Sequence, residues 1–153
     1  MDHIFALLGP AYLLAVAVPL ARIDVREHRL PNKLVLPLMP IALLGQLIAG
    51  LVGGDWLRMG MAAIAAIVAF VVGLLVNRFA DLGMGDVKLI TGMSLALGWF
   101  SALSPLLALV AGFMAATVFV LLMLLLRKTR MGSSVALGPY LLFGFAAALV
   151  GSV

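Results

Sequence analysis

The chain of 153 residues is 65% hydrophobic and 10% charged, with a mean hydropathy of +1.27. Soluble globular domains are about 25% charged, so the composition excludes one and predicts an all-α, polytopic membrane bundle, a single integral domain over 1–153. The net charge of +4 would suggest nucleic acid in a soluble protein, but basic residues in a membrane protein mark its cytoplasmic loops, and no nucleic-acid partner is expected. The absence of cysteine removes disulfides, a thiol nucleophile and cysteine metal sites. His3 and His28 are too few and too far apart for a metal centre, so neither metal nor cofactor is expected.

The first apolar run, Ile4 to Ala21, has no Lys or Arg before it, while Arg22, Arg26 and Arg29 follow it. A cleaved signal peptide has the opposite order, so this reads as a retained span entering with its N-terminus outside. Pro19 is expected to loosen or kink its end. After the polar stretch Asp24 to Lys33, a second span runs from Leu34 to about Val52, and the break Gly53–Arg58 carries Trp56 as an interfacial anchor. The third span, Met59 to about Val76, repeats small residues at Ala65, Ala69 and Gly73, a stripe suited to close helix packing. Asn77 to Lys88 is a polar connection.

The fourth run, Leu89 to Phe100, has twelve residues, short of the ~20 a spanning helix needs. It spans only if its helix starts inside Gly83–Lys88, and is re-entrant otherwise. Pro105 opens a fifth span ending at Leu126, and Val135 to Val153 forms the sixth. With the N-terminus outside, the first, third and fifth connections hold nine of the ten basic residues and leave Arg58 alone on the other side. That split favours about six transmembrane helices over a five-span arrangement.

The topology also sorts the six acids. Asp2 and Asp55 fall outside, and Glu27 and Asp81 sit deeper in polar loops. Asp24 ends the first span and Asp86 begins the fourth, both at the cytoplasmic boundary. An ionised carboxylate against an apolar segment is costly and therefore suspect. Two at one depth are the minimum equipment for aspartyl proteolysis, because close carboxylates cannot both ionise readily and their roles divide. Gly83 and Gly85 would let the backbone bend and a substrate strand approach without a Cβ clash. The plain alternative pairs Asp24 with Arg22 or Arg26, and Asp86 with Lys88 or with its own helix N-terminus.

Asp24 with Arg29-Leu30-Pro31-Asn32, then Gly83-Met84-Gly85-Asp86-Val87-Lys88, resembles the type IV prepilin peptidases, the GxGD-type membrane aspartyl proteases. Leu137-Gly138-Pro139-Tyr140, followed by Gly144, is similar to the Gly-Pro segment that opens the family's last helix. The resemblance covers about Ala15 to Gly144. It implies hydrolysis of the leader from type IV or Flp-like prepilins at the cytoplasmic face of the bacterial inner membrane, with Asp24 and Asp86 catalytic. Prepilin precursor and lipid bilayer are then the partners. Larger members carry paired Cys-x-x-Cys motifs and methylate the new N-terminus; this cysteine-free chain, with its short first loop, resembles the small Tad/Flp peptidases, and the resemblance leaves the methyltransferase activity open.

Around the two acids, Lys88 would tune Asp86, touch substrate or snorkel to the interface. Pro31 and Asn32 read as the turn that starts the second helix, Gly138 and Pro139 as support for the last. Gln46 reads as an interhelical hydrogen bond and the nine methionines as packing. Two further functions use the same carboxylates. A presenilin-type protease would want Tyr-Asp and Pro-Ala-Leu, whereas Ile23 precedes Asp24 and no Pro-Ala-Leu occurs. A proton-coupled small transporter, or a pilus or secretion assembly factor, would want acids near the bilayer midplane.

Overall fold

The structure, a computed structural model, describes residues 3–80, 82–127 and 136–152. Every regular element among them is helical. A single turn, α1 (His3–Ala6), leads into α2 (Leu8–Glu27), which runs unbroken through Pro19. Asp24 is therefore helical, in the last turn of α2, and His28 ends the helix in the left-handed conformation at φ 48°. A short α3 (Asn32–Val35) begins after Pro31, and Pro37 separates it from α4 (Leu38–Gly53). There follow α5 (Trp56–Ala80), α6 (Met84–Gly98), α7 (Ser104–Leu125) and α8 (Gly138–Ser152). Asp2, Asp81, Lys128, Arg130 and the start of the expected sixth span at Val135 lie outside the described residues.

Four stretches are long and apolar enough to cross a membrane: Ile4–Glu27, Asn32–Gly53, Trp56–Ala80 and Ser104–Leu125. The fifteen-residue helices α6 and α8 are shorter. At 1.5 Å per residue each is about 22 Å long, against a hydrocarbon core of about 30 Å. The helix α6 starts at Met84, inside Gly83–Lys88, as a span requires.

What sets α6 apart is enclosure. Every residue from Leu89 to Trp99 is buried, on all faces of the helix, and α2, α3, α4, α5, α7 and α8 all touch it. The neighbouring helices approach closely because small residues line the contacts. A Cβ on Gly98 would stand 2.7 Å from the Ala62 Cα of α5, and one on Gly92 would stand 2.6 Å from a methyl of Leu38. Of the stripe on α5, Gly73 is buried against Val87 of α6 and Ala65 and Ala69 are half-buried, while Ala62 and Ala66 beside it are buried. Gln46, fully buried in α4, donates from Nε2 to the Leu95 carbonyl of α6 at 2.7 Å. This is the interhelical bond expected of it. Trp56 packs its ring over Gly50 while remaining half-exposed.

Gly98→Val should force α5 off α6, because the clashing atom is backbone and cannot rotate away. Overpacking of this kind costs about 1–3 kcal/mol. A fall in melting temperature in detergent is the expected reading, and an unchanged melting curve would refute the packing described.

Candidate active site

Three segments distant in the chain meet at one end of the bundle: the last turn of α2 with the loop after it, the first turn of α6, and the start of α8. Asp24 is 4% exposed. Its Oδ2 accepts a hydrogen bond of 2.8 Å from the backbone N–H of Gly138, the first residue of α8. A helix start carries unpaired N–H groups and partial positive charge, so α8 satisfies its first donor on a carboxylate supplied by α2. Among the described residues no arginine pairs with Asp24; Arg22 and Arg26 are exposed.

Asp86 is the third residue of α6, after the N-cap Gly83. It precedes the apolar run and lies outside the four long spans. Its Oδ1 is buried with no hydrogen-bond partner among the described residues. Burial first, and the charge of Asp24 second, push the Asp86 carboxyl from 3.8 up to about 6. The N-terminus of α6 pulls the other way, toward the anion, and is outweighed. Lys88 does not serve as counter-ion: its Nζ donates to Asn32 Oδ1 at 3.0 Å. It thereby ties the loop after α2 to the first turn of α6.

Asp24 and Asp86 line a single cleft of about 440 Å³, together with His28, Leu82, Gly83 and Leu137. The floor behind it is closed by Leu30. A Cβ on Gly85 would stand 2.9 Å from the Leu30 Cβ, and a Cβ on Gly138 3.2 Å from Leu30 Cδ2 and 2.6 Å from Asp24 Oδ2. The buried leucine thus occupies the space that the two glycines leave free. This corrects the reason expected for Gly85, whose missing side chain admits Leu30 and not a substrate strand. Gly83 stays exposed on the cleft, where a Cβ would stand 2.8 Å from Asp86 Oδ2. Pro31 caps α3 and Asn32 is its first residue, which makes them the expected helix start. Pro139, second in α8, loses no hydrogen bond there, because a helix start needs no N–H partner at that position.

The cleft also contains residues that the motifs do not single out. His28 lies four residues after Asp24, where a helix returns to the same face, and its backbone N–H bonds the Asp24 carbonyl at 2.8 Å. That spacing is the signal that could have found it. Phe113, on α7, carries no comparable signal and reaches the cleft only through the fold.

The model of the type IV leader peptidase family matches residues 11–121. The chain belongs to that family. Neither the curated proteins nor the solved structures contain a match to it. The matched region includes Asp24 and the whole of Gly83–Lys88, whereas Leu137–Tyr140 falls beyond it. The place of Gly138 against Asp24 is therefore a result of the structure alone. Membership makes this chain a peptidase, with a leader-bearing precursor as the kind of substrate its family takes.

In this leader peptidase the raised Asp86 carboxyl has a consequence for stability. Between pH 3.8 and about 6 the folded chain holds a proton that the unfolded chain has released, so stability falls as pH rises through that window and stays lower above it. Asp86→Asn, which cannot ionise, should melt higher than the native chain at pH 7.5 and at the same temperature at pH 3.5. Equal melting at both pH values would show that burial of this carboxyl carries no penalty.

Proposed function

We propose that the chain is an aspartyl prepilin peptidase that removes the leader from type IV or Flp-like prepilins. In this reading it is one multi-pass domain of the bacterial inner membrane, with its N-terminus outside and the cleft at the cytoplasmic face. The observation that carries the proposal is the sharing of one cleft by Asp24 and Asp86 from different helices, with one oxygen of Asp86 buried and unpartnered. A buried acceptor without a donor is costly unless a proton, water or substrate completes it. The orientation is supported by charge: Arg22, Arg26, Arg29, Lys33, Arg78 and Lys88 flank the helix ends at the cleft, and Arg58 stands at the opposite end of α5. The small Tad/Flp type is supported by the short loop between α2 and α3 and by the lack of cysteine.

The two carboxylates have different surroundings, and the division of roles follows from them. Asp86, partly desolvated and beside another acid, is the group that keeps its proton and polarises the scissile carbonyl. Asp24, whose Oδ2 faces a helix N-terminus, is the base that takes a proton from water. The resulting hydroxide attacks the carbonyl carbon, and the proton passes to the leaving amine as the peptide bond breaks. Neither step needs a metal or a cofactor. Gly83 leaves the approach to Asp86 open, while Gly85, Lys88, Pro31, Asn32, Gly138 and Pro139 hold the acids in place.

Asp24→Asn and Asp86→Asn should each lower cleavage of a co-expressed prepilin by about 10²–10⁴-fold, the range of positioned acid–base groups, while the protein still inserts. Full activity in either variant would sink the proposal. Because Asp86 must be protonated, kcat/KM should decline as pH rises past about 6, and a profile flat to pH 8 would reverse the assignment of roles.

A further inference from the structure

Away from the acids, an apolar groove of about 470 Å³ runs between α5 and α7, floored by α6. Ala65, Ala69, Val72 and Leu106 are among its walls, and Ile90 and Ser94 form its floor. It lies where α5 and α7 both pack on α6. From Met61 to Val76 it follows α5 for sixteen residues, a rise of about 22 Å or four helical turns. Val76, Leu82 and Phe113 line both this groove and the aspartate cleft, so the two form one continuous surface.

Building on the aspartyl peptidase reading, we propose that this groove is the binding site for an apolar helix of the substrate, which lies along α5 with the scissile bond in the cleft at its end. Three observations select a helix over other occupants. The small side chains of Ala65 and Ala69 allow a backbone to come close, as helix pairs in membranes require. Ser94, a residue only 2% exposed, brings a hydroxyl to the groove, and a hydroxyl there can use a hydrogen-bond partner. A polar group at membrane depth calls for such a partner, and the side chain or backbone of a docked helix supplies one while lipid tails do not. Continuity with the cleft then fixes which helix it is, namely the one joined directly to the bond that is cut. A leader precursor with a long apolar segment beside its cleavage site satisfies both surfaces at once, and a soluble peptide satisfies only the cleft.

The test fills the groove from exposed positions, so that folding is not at issue. Val72→Trp and Leu106→Trp project from α5 and α7 at residues about half exposed. Each should lower kcat/KM for the full precursor at least tenfold and leave cleavage of a short peptide spanning only the cleavage site unchanged. A photoreactive residue at Val68, in an Asp86→Asn background, should crosslink to the apolar segment of the precursor in membranes. Unchanged cleavage of the precursor, an equal loss on the short peptide, or crosslinks confined to lipid or to a second copy of the chain would each overturn the groove. Loss of activity in Asp24→Asn alongside any of these would leave the peptidase proposal standing, and so separate the two.

Discussion

The structure depends on keeping one short helix out of contact with lipid. Over Leu89–Trp99, α6 presents buried residues in every direction, so the usual rule for a span, apolar length matched to bilayer thickness, does not govern it. A helix walled by other helices can be short and can carry Thr91 and Ser94, because its neighbours replace both lipid and water. Thr91 returns its hydroxyl to the Val87 carbonyl at 2.8 Å, which keeps it satisfied inside the helix itself. Close enclosure requires small contact surfaces, and Gly92 against Leu38 and Gly98 against Ala62 supply them. The enclosure ends only at the first turn. There Asp86 meets the cleft, so the most enclosed helix of the bundle holds the second acid of the candidate site.

The three segments of the site are held to one another through the same two devices, a missing side chain and a helix terminus. Leu30 is seated where Gly85 and Gly138 leave room, and Lys88 bonds Asn32 across the same junction. Asp24 bonds the first N–H of α8, so the last helix is placed by an acid of the first long one. A change at any of these positions would reach the others. Enlarging Gly138, for example, would press at once on the Asp24 carboxylate and on Leu30. Gly85 and Leu30 therefore act on the acids through position, while Gly138 also bonds Asp24 directly through its backbone N–H.

Much of this was legible in the sequence, and the reasons are physical. Apolar run lengths and proline positions gave the helices, because in a membrane both are dictated by the need to bond every backbone group internally. The choice of Asp24 and Asp86 among six acids followed from the distribution of charge about the spans. What stayed hidden was three-dimensional adjacency. Asp24 extends the helix beyond its apolar run, since a polar last turn carries no hydropathy signal. The service of Gly85 to Leu30 and of Gly138 to Asp24 is a contact between residues 55 and 114 positions apart, and no local pattern encodes it. The groove was hidden for the same reason: the stripe Ala65, Ala69, Gly73 says that something packs closely, and only the fold shows α6 taking the buried part of it and leaving the rest open.

The two acids are also unequal in a way that a symmetric view of a carboxylate pair would miss. Each stands near a helix N-terminus, but the relation differs. Asp86 belongs to the helix whose dipole it meets, at its third position, and leaves one oxygen buried and unbonded. Asp24 belongs to the last turn of α2 and receives an N–H from the start of a different helix. Asp24 thus accepts a directed hydrogen bond, whereas desolvation opposes negative charge at Asp86. A pair arranged in this way need not rely on mutual repulsion alone to decide which member is protonated. Under the proposed division of roles the helices bias that choice before substrate arrives, and the buried unbonded oxygen belongs to the acid proposed as donor.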